Sequence, residues 1–365
     1  MTDFSHNKDR NLKALVLCAG KGTRLSPLTD DIAKPLIPVA NRPILFYVLD
    51  RIREIDISEI GIVVSPGNHK QIQQAVGTGS AWQAHVEYII QTEARGLAHA
   101  VISAEDYLKD SPFLMFLGDN LIGDNLVSFI NRFRQGKSSA SILLKEVPDP
   151  SSFGVAELNA SGQVTRMVEK PKQPQSSLAM VGIYLFRRNI HRATRQIKPS
   201  RRGELEITDA LQWLLDNGET VDSHIISGWW LDTGRREDLL TANRVILEEQ
   251  KIREFKGIMD NLSWIEGNVN LEKGASLVNT TVQGPASIAG GCVISNSTIG
   301  PYTSIGPNSR IESSHLENDI IMENSDINNL NLTDSIVGLN SAVFSRINGT
   351  EIRGLISACY TKNEL

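Results

Sequence analysis

From about residue 256 onward, aliphatic residues recur every six positions. Val282, Ile288 and Ile294 keep that spacing, and so do Ile299, Ile305 and Ile311. Neither the 3.6-residue period of a helix nor the two-residue period of a strand gives this rhythm. Short stacked coils do. Glycine and small residues fill the gaps, as in Gly300-Pro301-Tyr302-Thr303-Ser304-Ile305-Gly306-Pro307. The pattern predicts a parallel β-helix over 251–355, with an aliphatic residue pointing inward at each corner. The rhythm loosens between Asn324 and Ser345, and a short tail is expected over 356–365.

The first two thirds of the chain read differently. Apolar runs at Lys13–Leu17, Ile60–Val64, Val86–Ile90, Phe113–Leu117 and Ser141–Val147 are strand-like. Helical patterns lie between several of them, near 97–108 and 126–135, and Pro43 opens an amphipathic stretch in the favoured first-turn position. This alternation predicts an α/β domain over 12–250 with a mostly parallel sheet, whose ligands would bind beyond the carboxyl ends of the strands. A helix-rich segment near 236–255 is the expected connector, and residues 1–11 are read as a loose tail.

Composition narrows the function. A formal net charge of −5 with no basic run argues against a nucleic-acid partner, but leaves room for a local cationic cleft. The three cysteines, Cys18, Cys292 and Cys359, are scattered and lack metal-ligand spacing, which fits a reducing cytoplasm. No apolar run approaches the roughly 20 residues that span a bilayer, and the N-terminus lacks a secretory apolar core. No membrane partner is expected.

Chemistry is concentrated in Leu17-Cys18-Ala19-Gly20-Lys21-Gly22-Thr23-Arg24-Leu25, followed by Lys34-Pro35-Leu36. A strand entering glycines offers backbone N–H groups to phosphates. Arg24 adds a planar fork for phosphate oxygens and Lys34 a point charge. The dinucleotide fingerprint fails, because Leu25 stands where its third glycine belongs, and a P-loop fails because Asn131 replaces the first glycine before Gly136-Lys137-Ser138. Asp119, directly after the strand Phe113–Leu117, and Asp232, in Trp230-Leu231-Asp232-Thr233-Gly234, are carboxylates of the kind that hold Mg²⁺. Turn formation alone would also account for an Asp beside a Gly.

Taken in order, GKGTRLSPLT with KPLIPV, Gln91-Thr92-Glu93-Ala94-Arg95-Gly96-Leu97-Ala98-His99-Ala100, Leu117-Gly118-Asp119, Phe153-Gly154-Val155, Glu169-Lys170-Pro171 and Glu206-Ile207-Thr208-Asp209 resemble the sugar-1-phosphate nucleotidyltransferase family. The resemblance covers about 12–250. Its likeness is greatest to members that take dTTP and glucose 1-phosphate and carry a C-terminal left-handed β-helix. It implies a Rossmann-like catalytic domain and a homo-oligomer. It further implies that Leu17, Ala19, Gly20, Gly22, Thr23, Arg24 and Lys34 surround the nucleotide and its phosphates. Gln91 would bond the base, with the Gly96 backbone beside it. Asp119 and Asp232 would hold Mg²⁺. Gly154, Glu169, Met180 and Val181 would line the sugar pocket, and Lys170 would hold the sugar's phosphate. Arg24, Lys34 and Lys170 would be the catalytic cations. Ala19 departs from a common glycine, and Phe153 replaces a common tyrosine.

Gln91 can pair with the edge that thymine and uracil share, so a UTP-dependent uridylyltransferase is the alternative. A catalytically silent scaffold of the same layout would typically have lost a loop cation or an aspartate, yet Arg24, Lys34, Asp119, Lys170 and Asp232 all stand. Acetyl transfer by the β-helix would call for a base between coils, and His315 is the one histidine in that region. Subunit contact or regulation is the role expected there.

Overall fold

The computed structural model describes residues 12–250, 254–347 and 349–365. The tail expected over 1–11, and residues 251–253 of the expected connector and β-helix domain, lie outside the described residues. Two compact units are present, Met1–Gly20 with Leu45–Leu231 and Lys21–Ile44 with Asp232–Leu365.

The first unit is built on a nine-stranded sheet. β1 (Lys13–Leu17), β2 (Glu59–Val64), β3 (His85–Ile90) and β4 (Phe113–Leu117) run parallel in the spatial order β4-β1-β2-β3. Leu15 pairs with Gly61 on one side and Met115 on the other. Central strands covered on both faces need apolar residues at every position, which is why β1 and β4 stand out as unbroken runs. Later segments extend the sheet: β5 (Ala140–Glu146), β6 (Gly154–Leu158), β7 (Val164–Glu169), β8 (Leu178–Phe186) and β9 (Val221–Ile225). β8 runs antiparallel to β4, β5 and β6, and β6 runs antiparallel to β7. The parallel half therefore carries the glycine loop, and the antiparallel half carries Gly154, Glu169 and Met180. One core joins both halves, from Leu15, Met115 and Ile142 to Met180, Ile207 and Leu211. The helical pattern over 97–108 divides at Ala104 into Leu97–Ser103 and Glu105–Leu108.

The second unit contains the parallel β-helix, with the three faces expected of a left-handed β-helix domain. Consecutive members of the six-residue period fall on consecutive faces: Val282 in Thr281–Gln283, Ile288 in Ala286–Ile288 and Ile294 in Val293–Ser295. One inward ladder runs Leu271, Ile288, Ile305, Ile321, Val337; a second runs Leu277, Ile294, Ile311, Ile327, Val343. Each fully buried rung is worth roughly 1.5–3 kcal/mol.

The corner placement expected for these residues is corrected. The aliphatic side chains sit within the strands, and several corners are taken by Asn279, Asn296, Asn308, Asn324 and Asn340, with φ between 46° and 56°. Asparagine tolerates that left-handed geometry, whereas a β-branched residue does not. Some of these corners bond to one another, Asn279 to Asn296 and Asn324 to Asn340, each at 2.9 Å.

The segment Lys21–Ile44 is tied to this unit by two asparagines. Asn243, wholly buried on the helix Arg236–Glu249, accepts the Ala40 N–H at 2.7 Å and donates to the Tyr302 carbonyl at 2.7 Å. Asn41 donates to the carbonyl and hydroxyl oxygens of Ser287, both at 3.1 Å.

Candidate active site

The glycine loop crosses from the first unit to the second between Gly20 and Lys21. In the first unit, β1 delivers Leu17, whose carbonyl accepts the Gly118 N–H at 2.9 Å. Ala19 is buried, and the space where a Gly20 side chain would stand is open for 4 Å. Cys18 is enclosed, and its carbonyl accepts an Asn68 N–H at 2.7 Å. Burial, and then the charge of Asp119, hold its thiol far above the ordinary range, so it is not a nucleophile. Asp119 ends the β4 segment and accepts an N–H from Asn120 at 3.0 Å. Asn120 in turn accepts the indole N–H of Trp230 at 2.7 Å.

Gln91, at the carboxyl end of β3, is buried. Its amide nitrogen lies 3.2 Å from the Gly96 carbonyl and 3.0 Å from His99 Nδ1. A carbonyl can only accept, so the NH₂ group faces Gly96 and His99, leaving Oε1 as the amide's acceptor. Gly96 has φ of 98°, and a β-carbon there would meet the Leu205 carbonyl oxygen at 2.5 Å. No other residue fits. The contact is extended by hydrogen bonds from Leu205 N–H to Arg95 at 2.7 Å and from Ala98 N–H to Leu205 at 3.0 Å.

That segment continues into a carboxylate cluster. Glu169, at the end of β7, accepts the Thr208 hydroxyl at 2.6 Å and lies 3.3 Å from Arg202 and 3.8 Å from Lys170. Burial pushes its carboxyl up, and the Thr208 hydrogen bond opposes that shift. Arg202 is held by both oxygens of buried Glu206 at 2.9 Å, and Glu206 also accepts the Ser200 hydroxyl at 2.7 Å. A β-carbon on Gly154 would stand 2.9 Å from Thr208 Oγ1, 3.0 Å from Met180 Sδ and 3.2 Å from Glu169 Oε2. Gly154, Glu169 and Met180 are thus brought together. Val181, fully buried one residue along β8, is not among the atoms closest to that point. Lys170 adopts φ of 42°, an expensive geometry for a side-chain-bearing residue, fixed by its N–H bond to the Phe153 carbonyl at 3.0 Å. Phe153 packs edge-on against Trp230, ring centroids 5.0 Å apart.

In the second unit, Gly22 turns the loop with φ of 65°, and its carbonyl accepts the Thr29 hydroxyl at 2.9 Å. Thr23 and Arg24 follow in a single 3₁₀ turn, both exposed. Lys34 opens a second 3₁₀ turn, with its ammonium 4.0 Å from an Asp232 oxygen. A β-carbon on Gly234 would lie 3.5 Å from the Arg24 guanidinium and 3.6 Å from Asp232. Arg24, Lys34 and Asp232 therefore converge. Among the described residues, no three His, Cys, Asp or Glu side chains gather as a metal cage. A Mg²⁺ held by one or two carboxylates plus substrate phosphates needs no such cage; Asp119 lies in the first unit and Asp232 in the second.

Sequence reasoning missed Thr208, Arg202, His99 and Asn68. Thr208 and His99 lay inside quoted motifs, Glu206 to Asp209 and Gln91 to Ala100, but Arg202 and Asn68 had no local signal.

The nucleotidyl transferase family model matches residues 13–249. A glucose-1-phosphate thymidylyltransferase of Streptomyces griseus is 44% identical over 335 residues, 92% of this chain and 94% of the relative. A UTP–glucose-1-phosphate uridylyltransferase of Haloferax volcanii is 38% identical over 240 residues, 65% of this chain and 98% of the relative. A Bacillus anthracis structure, provisionally assigned as a glucose-1-phosphate thymidylyltransferase and complexed with sucrose, superposes with a TM-score of 0.62 at 32% identity. That match spans 67% of this chain and 98% of that one. The fold and the match together define an enzyme of nucleotidyl transfer. The chain belongs to the nucleotidyl transferase family, among the sugar-1-phosphate nucleotidyltransferases.

Proposed function

We propose that the protein transfers a thymidylyl group from dTTP to glucose 1-phosphate, giving dTDP-glucose and pyrophosphate, with Mg²⁺ as cofactor. The observation that carries the sugar half is the Gly154–Glu169–Thr208–Met180 cradle. There a carboxylate acceptor for hydroxyls faces a backbone with no side chain. Gln91 supports the pyrimidine half. Its remaining acceptor suits the N3–H of thymine, and equally that of uracil, so UTP is the second reading. Likeness over both domains to the Streptomyces griseus relative favours dTTP.

The chemistry requires no dedicated base. A phosphomonoester has its second pKa near 6, so the sugar phosphate is nucleophilic at neutral pH. One of its oxygens forms a bond to the α-phosphorus as the bond to the β-phosphate oxygen breaks, and that pair of electrons leaves with pyrophosphate. Lys170 would hold the attacking phosphate, and Arg24 and Lys34 would offset the charge of the triphosphate. When bound, Mg²⁺ would neutralise phosphate charge through Asp119 and Asp232. No helix among the described residues is long and apolar enough to cross a membrane. Three unpaired cysteines support a reducing compartment, the cytoplasm.

The test of the metal assignment is Asp119→Asn. Turnover should fall by roughly 10² or more while the far-UV spectrum is unchanged, and chelation of divalent metal should silence the parent enzyme. Near-parental rates in the variant would remove Asp119 from the metal site.

A further inference from the structure

Gln91 is 5% exposed, and both hydrogens of its amide are taken up inside the protein. Its amide nitrogen lies 3.2 Å from the Gly96 carbonyl, which fixes the orientation of the group because a carbonyl can only accept. His99 Nδ1 stands 3.0 Å from the same nitrogen. It must therefore accept as well, so the imidazole carries its proton on Nε2. With one hydrogen on Gly96 and the other on His99, none is left for a nucleotide. Oε1 is what this side chain can offer a base.

His99 is held where that arrangement requires it. It lies half-buried in the first turn of the helix Leu97–Ser103, and its carbonyl accepts the Ser103 hydroxyl at 2.9 Å. The neighbouring Ala98 N–H, bonded to the Leu205 carbonyl at 3.0 Å, ties down the start of that helix.

We propose that His99 decides which pyrimidine the enzyme accepts: by taking the second amide hydrogen of Gln91 it leaves the base an acceptor and no donor, and so excludes cytidine nucleotides. The inference rests on the pyrimidine reading above. Thymine and uracil bring N3–H to Oε1, a donor to an acceptor. Cytosine in the same place sets its bare N3 against Oε1, two acceptors face to face in a buried setting. Without an acceptor at position 99, one amide hydrogen of Gln91 would be buried and unpaired. The side chain relieves this by turning that hydrogen to the nucleotide, where cytosine N3 accepts it and the N3–H of uracil does not. His99 touches no reacting atom; it acts through Gln91 as a positioning residue.

Pyrophosphate release by the full-length enzyme, with glucose 1-phosphate, Mg²⁺ and dTTP, UTP or CTP varied in turn, tests this. The parent should favour UTP over CTP by about 10² in kcat/KM. His99→Leu fills the space without an acceptor. It should raise KM for dTTP and UTP about tenfold, with kcat falling less, and narrow the UTP-to-CTP ratio by about tenfold. His99→Asn, whose Oδ1 can stand in for Nδ1, should return both quantities to within about threefold of the parent. Both variants should keep the parent's far-UV spectrum. A packing role would be served as well by Leu as by Asn. A parent that takes CTP as readily as UTP, an unchanged ratio in His99→Leu, or an equal loss in both variants overturns the role of His99 and leaves the pyrimidine reading standing. A parent that turns over no pyrimidine nucleotide overturns that reading and this inference with it.

Discussion

At Glu169, burial opposes the proposed contact with the sugar. Burial raises its pKa, so the folded state binds that proton more tightly than the unfolded chain. The ionised group therefore disfavours folding at neutral pH, and the cost is relieved as pH falls through its raised folded pKa. Replacing it by Gln should raise Tm at pH 7.5, with the gain shrinking in acid as the parent's carboxyl protonates. The same change should raise KM for the sugar phosphate about tenfold, through loss of a charged acceptor. Paired thermal melts and kinetics check both halves. Arg24, Lys34, Asp119, Asp232, Gln91 and Glu169 each sit in a compact string, and the structure gathers Arg24, Lys34 and Asp232 in one group and Gly154, Glu169 and Met180 in another. Arg202 was not legible, since its value lies in gripping Glu206 and approaching Glu169, a residue 33 positions away. No spacing rule reveals that contact.

Among the elements, the parallel strands were the most readable, being continuous apolar runs. β6, β7 and β9 were not, because they show neither an unbroken apolar run nor a strict two-residue alternation. The six-residue period identified the faces of the β-helix but not its corners, because the aliphatic repeat was placed at the corners and only glycine and small residues were assigned to the gaps. At Gly96 the turn couples two elements of the site, the Gln91 side chain and the Leu205 segment that leads to Thr208. Gly96→Ala forces a β-carbon onto the Leu205 carbonyl and should lower kcat/KM by about 10² through displacement of bound groups. Steady-state kinetics with both substrates varied would show it, and a parental value would uncouple this turn from the site.

At the scale of the molecule, the sequence placed the β-helix after the catalytic domain but gave no hint that Lys21–Ile44 is fastened to it. Those contacts run through Asn41 and Asn243 to residues more than 50 positions away, beyond any periodic pattern. The β-helix therefore supports the segment that carries Arg24 and Lys34. Asn243→Ala leaves the Ala40 N–H and the Tyr302 carbonyl unpaired, at roughly 1–3 kcal/mol each. It should lower both Tm and kcat, whereas a purely structural role would leave kcat of the folded enzyme unchanged. The central claim, pyrimidine nucleotidyl transfer to a hexose phosphate, is tested most directly by pyrophosphate release. Glucose 1-phosphate and Mg²⁺ would be supplied with dTTP, UTP, ATP or GTP in parallel. Release is expected with dTTP, less with UTP and little with either purine. Purine nucleotides outpacing both pyrimidines would contradict it.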